Sequence, residues 1–95
     1  LGVPFNIASY SLLLSIFGEI LNLRPKKFVH SFGDAHIYLN SVNQVKEQIS
    51  RKPLDAPKLI IPTLNSIEDL SSCSIDDFKL EGYEHHPAIK AKMAV

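Results

Sequence analysis

The chain has 95 residues, of which 45% are hydrophobic, and its formal net charge at pH 7 is zero. This length limits it to one domain at most, and the hydrophobic content excludes a disordered chain. Its ten basic and ten acidic residues form no long block of like charge, so we expect no surface that binds DNA.

The first predicted element is a long helix that starts at Pro4 and ends before Pro25. Proline suits the first helical turn because its missing N–H costs nothing there. The helix carries apolar residues in two stripes at helical spacing: Ile7, Tyr10, Leu14, Phe17 and Leu21, and Leu13, Ile16, Ile20 and Leu23. A helix that is apolar nearly all round is typically buried inside something larger. Polar residues interrupt the apolar run at 7–23, and no basic segment precedes it, so we expect neither a membrane span nor a signal peptide.

The start of this helix carries two residues that suit a ligand. Gly2 would let the backbone approach a ligand closely. Asn6 places an amide beside the N–H groups of the first turn, where polar ligands are readily held. On the local sequence alone, a cap or turn hydrogen bond made by Asn6 is favoured over a ligand contact.

The central stretch, defined as residues 28–40, is predicted to be extended. Residues 28–32 and 37–39 are apolar and β-prone, and the Gly33-Asp34 pair between them suits a bend or bulge. Alternate side chains of an extended segment point to the same face, so His36 and Tyr38 would form a platform for a hydroxylated ligand. Periodicity alone favours the alternative, a core strand whose polar tips are satisfied internally.

The second half of the chain predicts a surface helix and two short strands. Ser41 and Gln44 have the spacing of a capping box, and Pro53 would end the helix. The charged residues of this helix are predicted to form a solvated face: Lys46, Glu47, Arg51 and Lys52. Strands are predicted at 57–62, which is flanked by prolines, and at 78–83, where apolar and polar residues alternate.

Neither cysteine catalysis nor metal binding is favoured. Cys73 lies in a polar loop at 65–77 that supplies no neighbouring base to activate it. As a single cysteine it cannot form an internal disulfide, so we expect a reducing, cytoplasmic compartment. His30, Asp34 and His36 could supply two imidazoles and a carboxylate, but their spacing matches no compact zinc motif, and we expect no metal.

The tail, defined as residues 85–95, ends in apolar residues. Soluble termini tend to be polar and frayed. The tail is therefore predicted to dock on the rest of the molecule, as a lid.

Five motifs along the chain resemble the thymidylate synthase family: Leu1-Gly-Val-Pro-Phe-Asn-Ile-Ala-Ser-Tyr10, Gly33-Asp-Ala-His-Ile-Tyr-Leu-Asn40, Gly82-Tyr83, His86-Pro87 and Met93-Ala94-Val95. The resemblance implies that residues 1–95 are the C-terminal part of a single thymidylate synthase domain. It implies an α/β (α+β) fold, in which a large twisted mixed sheet packs with helices and forms a homodimer interface. This chain would supply the long buried helix, core strands and the C-terminal tail.

The resemblance also implies a methyltransferase that converts dUMP to dTMP by reductive methylation, with methylenetetrahydrofolate as co-substrate and dihydrofolate as product. The family's nucleophilic cysteine stands in a Pro-Cys-His context, which this sequence lacks. We therefore expect the remainder of the protein upstream, and no activity from the 95 residues alone. The resemblance is compatible with a stand-alone synthase and with one fused to dihydrofolate reductase.

Residue roles follow from the matching motifs. The resemblance assigns Asn6 to the uracil ring, and His36 and Tyr38 to the deoxyribose 3′-hydroxyl, which reverses the local preference for Asn6. It assigns these residues to the folate site: Leu1, Gly2, Phe5, Met93 and Ala94. Val95 would close over the bound substrates, whereas Lys92 stands where the family commonly has an acid.

Two other classes of function stay open at this point. The segment could be a noncatalytic nucleotide-binding or dimerisation module derived from the same fold. A metal-dependent hydrolase is the third and weakest reading, because it depends on the histidine and carboxylate residues discussed above.

Overall fold

The computed structural model describes residues 1–92. The helices are α1 (Val3–Ile20), α2 (Val42–Ser50) and α3 (Ile67–Ser72), and the strands are β1 (Lys58–Ile60) and β2 (Lys79–Glu81). Single 3₁₀ turns lie at Leu39–Ser41 and Ile75–Asp77. This mixture of helices and strands agrees with the predicted class. The sheet within the described residues has two strands, so the large twisted sheet stays a prediction for the whole domain.

Helix α1 begins and ends close to the predicted positions, but the rest of residues 1–92 does not bury it. Within residues 1–92 its buried residue is Ile16, which is 8% exposed, whereas Tyr10 is 59% and Phe17 is 44% exposed. By length and composition α1 could cross a membrane, which differs from our expectation for the apolar run. Burial of α1 against something larger than this chain stays a prediction.

The end of α1 is a Schellman motif. Asn22 takes the left-handed conformation, with φ of 50°. The Leu23 N–H donates to the Gly18 carbonyl at 2.8 Å, and the Asn22 N–H donates to the Glu19 carbonyl at 3.1 Å. These two bonds satisfy carbonyls that the helix end would otherwise leave free. The chain then folds back, and Pro25 packs against the helix at Gly18.

The central stretch forms no helix or strand over residues 28–38, so the β tendency of residues 28–32 and 37–39 produces no strand within the described chain, and the core strands implied by the resemblance stay a prediction. A strand needs a hydrogen-bonded neighbour, and within residues 1–92 none pairs with this stretch. The alternation of side chains is nevertheless present. The rings of His30 and Phe32 stack at 4.4 Å, and a 3₁₀ turn replaces the strand from residue 39 onward.

Helix α2 confirms the predicted surface helix, but the predicted capping box is wrong. The Ser41 side chain makes no cap hydrogen bond. Ser41 already belongs to the preceding 3₁₀ turn, with φ of −115° and ψ of 4°, whereas a capping residue needs extended backbone. Gln44 instead donates its amide N–H to the Lys90 carbonyl at 3.4 Å. The helix ends at Ser50, ahead of Pro53.

The two predicted strands are confirmed in shorter form. Strands β1 and β2 pair antiparallel, with Lys58 opposite Glu81 and Ile60 opposite Lys79. The polar loop between them contains α3, capped by the Ser66 hydroxyl, which accepts from the Asp69 N–H at 3.1 Å.

Candidate functional site

An open cleft of about 580 Å³ lies where four segments meet: the start of α1, the central stretch, the start of α2 and the tail. Its volume is in the range of small-molecule sites. These segments are far apart in sequence, so the cleft is a product of the fold and not of one motif.

The first wall of the cleft is the start of α1. Leu1, Gly2, Val3 and Asn6 line it. The Gly2 carbonyl accepts from the Asn6 N–H at 3.4 Å, which places Asn6 in the first turn. Its side chain makes no hydrogen bond to any of residues 1–92, and Gly2, not Asn6, stands at the cap position. The amide is therefore available to a ligand. Because the first turn carries no acidic residue, the partial positive charge of the helix start is not offset there.

The second wall is the central stretch, where His36 and Tyr38 lie together as the alternation predicts. Their rings meet edge to face, with centroids 5.0 Å apart. The His36 Nδ1 is 3.6 Å from the Asp34 carboxylate, too long for a hydrogen bond. Within the described residues the imidazole and the Tyr38 hydroxyl make no hydrogen bond. Both groups are thus free to bind a hydroxylated ligand.

The third wall combines the start of α2 with the tail. Ser41 and Val45 come from the 3₁₀ turn and the first turn of α2, and Ala91 and Lys92 come from the tail. The sequence did not mark Ser41, Val45 or Ala91 as site residues. No local pattern could have found them, because the cleft exists only where α2 and the tail meet the start of α1 and the central stretch.

Three hydrogen bonds hold the tail against α2 and the residues that follow it. The His86 Nε2 donates to the Lys52 carbonyl at 2.8 Å, and the Arg51 guanidinium donates to the Pro87 carbonyl at 2.6 Å. The third is the bond from Gln44 to the Lys90 carbonyl. Residues 86–90 of the tail therefore run antiparallel to α2, and residues 91–92 lie at the cleft. The predicted docking of the tail is seen for residues 86–92.

Some predicted site residues are not brought to this cleft. Phe5 is 77% exposed and does not line the cleft, since successive helix residues point about 100° apart and Asn6 faces it instead. The predicted folate contacts Met93 and Ala94, and the closing residue Val95, lie outside the described residues.

The candidate metal ligands and the cysteine show no arrangement for catalysis. Within residues 1–92, no three His, Cys, Asp or Glu side chains are grouped so that they could hold a metal ion. The Cys73 thiol donates to the Asp69 carbonyl at 3.3 Å and does not line the cleft. The arrangement of side chains in residues 1–92 therefore does not favour a metal-dependent hydrolase.

A cleft with an amide on one wall, an imidazole and a phenol on the next, and Ala91 and Lys92 of the tail on the third is suited to a polar metabolite. The sequence matches the family model for thymidylate synthase over residues 1–95, and the chain belongs to that family.

Curated relatives agree with this assignment. The chain is 52% identical to the thymidylate synthase of Mycoplasma mobile and 50% identical to that of Homo sapiens. It is 48% identical to the thymidylate synthase of Malacoplasma penetrans. Each match covers all of this chain but 32%, 30% and 32% of the respective relative. The chain thus spans about a third of the length of the curated relatives it matches.

Proposed function

We propose that this chain is the C-terminal part of a thymidylate synthase, which converts dUMP to dTMP by reductive methylation with methylenetetrahydrofolate. The observation that carries the proposal is that Asn6, His36 and Tyr38 line one cleft in a chain of this family. In the proposed reaction a cysteine thiolate adds to C6 of uracil, and C5 then attacks the methylene group of the folate. Elimination and hydride transfer give dTMP and dihydrofolate.

Asn6 is proposed to read the uracil ring. A primary amide can accept from the ring N–H and donate to the adjacent carbonyl at the same time. Cytosine presents the reverse pattern there, so the wrong base would leave polar groups unpaired. Thiolate addition places negative charge on the ring oxygen. The Asn6 amide and the start of α1, which no acidic residue neutralises, would both stabilise that charge.

His36 and Tyr38 are proposed to bind the deoxyribose 3′-hydroxyl. The edge-to-face contact of their rings at 5.0 Å limits the freedom of both side chains, so little conformational entropy is lost on binding. An imidazole and a phenol can each donate or accept. Together they can satisfy both the proton and the lone pairs of one hydroxyl.

Leu1 and Gly2 are proposed to contact the folate, with the tail closing the same side of the cleft. This part of the proposal is supported by the contacts of residues 86–90 with α2 and the residues after it and by the position of Ala91 and Lys92 in the cleft lining. Met93, Ala94 and Val95 would complete the closure. A closed apolar lid keeps water away from reactive intermediates.

The nucleophile, the phosphate-binding arginines and the catalytic acids are proposed to come from the remainder of the same protein upstream. The sequence holds one cysteine, Cys73, flanked by serines, and it does not line the cleft. The 95 residues alone are therefore proposed to be inactive. The exposed apolar side chains of α1 would be buried by that remainder within a homodimer, and the enzyme would be cytoplasmic.

The proposal is tested by Asn6→Asp in the full-length protein. A protonated aspartic acid presents the pattern complementary to cytosine, so this variant should use dUMP less well and dCMP better than the parent protein. One mispaired buried group costs about 1–3 kcal/mol, so the dUMP/dCMP ratio of kcat/KM should fall by about 5- to 150-fold. Steady-state rates on both nucleotides measure this ratio.

Two outcomes would contradict the proposal. An unchanged dUMP/dCMP ratio in Asn6→Asp would mean that Asn6 does not read the base. Binding of dUMP by the full-length protein without turnover in the presence of methylenetetrahydrofolate would favour the noncatalytic module. The parent protein and a variant at a residue that does not line the cleft, Lys58→Gln, serve as controls.

A further inference from the structure

We propose that Arg51 is a positioning residue for the proposed reaction: it clamps the tail at Pro87 and thereby places residues 91–92 at the wall of the cleft. Arg51 itself does not line the cleft. The inference rests on the proposed function for its kinetic consequence, but the clamp can be measured without turnover.

Two hydrogen bonds hold the guanidinium group of Arg51. One Arg51 N–H donates to the Pro87 carbonyl, and another donates to the Glu47 carboxylate, both at 2.6 Å. The sequence predicted Arg51 to be part of a solvated face. In the structure its side chain is 22% exposed, against 55% for Glu47, so that prediction is wrong for Arg51.

The Glu47 carboxylate holds the Arg51 guanidinium in place. Glu47 lies one turn before Arg51 on the same helix face, which is the favourable order for such a pair. A planar guanidinium that is already held by a carboxylate loses little further freedom when it binds a carbonyl. The pair is therefore a preorganised clamp and not a surface ion pair alone.

The spacing of Pro87 and Lys90 along the tail matches that of their partners, Arg51 and Gln44, along α2. From Arg51 back to Gln44 the helix axis rises about 10.5 Å, at 1.5 Å per residue. From Pro87 to Lys90 an extended chain covers about 10 Å, at 3.4 Å per residue. The two spans match, so both bonds can form together along one helix face. Helix α2 therefore fixes the position of residues 87–90 along its length.

The hydrogen bonds that Arg51 and Gln44 make to the tail differ in strength. The bond from Gln44 to the Lys90 carbonyl is neutral and long, at 3.4 Å. The bond from Arg51 is charged and short, and charged hydrogen bonds are about twice as strong as neutral ones. Without the Arg51 clamp, the tail beyond His86 would be held on α2 mainly by the weak contact of Gln44.

The kinetic test uses Arg51→Gln in the full-length protein. Losing a charged hydrogen bond costs about 1.5–3 kcal/mol, so the KM for methylenetetrahydrofolate should rise about 10- to 100-fold. The Kd for dUMP should stay within about twofold, because Asn6, His36 and Tyr38 do not depend on the tail. Arg51→Lys should restore part of the loss, since lysine keeps one donor but not the fork. Lys46→Gln, on the exposed face of α2, is the matched control.

A second measurement separates the clamp from the proposed function. Hydrogen–deuterium exchange at residues 88–92 should be faster in Arg51→Gln than in Lys46→Gln, whether or not the protein turns over dUMP. Equal exchange in the two variants would overturn the clamp. Equal losses of dUMP and folate binding in Arg51→Gln would show a general structural role and would overturn the positioning role. If the parent protein shows no turnover, the proposed function is refuted. Faster exchange in Arg51→Gln than in Lys46→Gln would still support the clamp in that case.

Discussion

The contact between Gly18 and Pro25 predicts that Gly18→Ala lowers the stability of the protein. Helix propensity alone predicts that it raises the stability. Replacing a glycine inside a helix by alanine normally stabilises a protein by about 1 kcal/mol. At Gly18, however, a Cβ atom would lie 2.7 Å from Cγ of Pro25 and 2.8 Å from the Leu23 carbonyl oxygen. Ordinary carbon contacts are about 3.5–4.0 Å, so the turn after α1 must move.

The size of the expected loss of stability follows from the hydrogen bonds that this movement breaks and from the overpacking that remains. The two hydrogen bonds of the Schellman motif, from Leu23 and Asn22, are worth about 1 kcal/mol each. Local overpacking costs about a further 1–3 kcal/mol. Subtracting the propensity gain of about 1 kcal/mol, we expect Gly18→Ala to lower the free energy of unfolding by about 2–4 kcal/mol.

Denaturant unfolding of the full-length protein measures this change. Gly33→Ala is the matched control, because a Cβ atom there meets nothing within 4 Å and its φ is not positive. The control should change stability by less than about 0.5 kcal/mol. If Gly18→Ala were as stable as the parent protein, the close packing of Pro25 on α1 would be refuted.

Two further predictions concern the cleft. Tyr38→Phe keeps the edge contact with His36 but removes the hydroxyl, so the Kd for dUMP should rise about tenfold by titration calorimetry. Tyr10→Phe on the exposed side of α1 should leave this Kd unchanged. An equal Kd in both variants would show that the Tyr38 hydroxyl does not bind the sugar. Deleting Val95 should lower turnover more than dUMP binding, because the proposed lid acts after the nucleotide is bound; equal losses would make the residue structural.

Local sequence determined the helices and the short strands. The stripes of α1, the prolines around β1 and the polar loop that contains α3 all depend on interactions between near neighbours. The end of α1 also follows local rules, since Asn22 and Pro25 suit a left-handed turn and a helix stop. The alternation that pairs His36 with Tyr38 is local as well, and it holds even though the central stretch forms no strand.

Tertiary structure decided what local patterns leave open. Whether residues 28–32 become a strand depends on a hydrogen-bonded partner, and within the described chain none is present. Ser41 and Gln44 have capping-box spacing, yet the 3₁₀ turn before α2 and the contact with Lys90 redirect both side chains. The convergence of Asn6, the central stretch and the tail on one cleft depends on contacts across more than 30 residues, such as Arg51 to Pro87. Such contacts leave no periodic trace in the sequence, because the energy that selects them arises only when the distant segments meet.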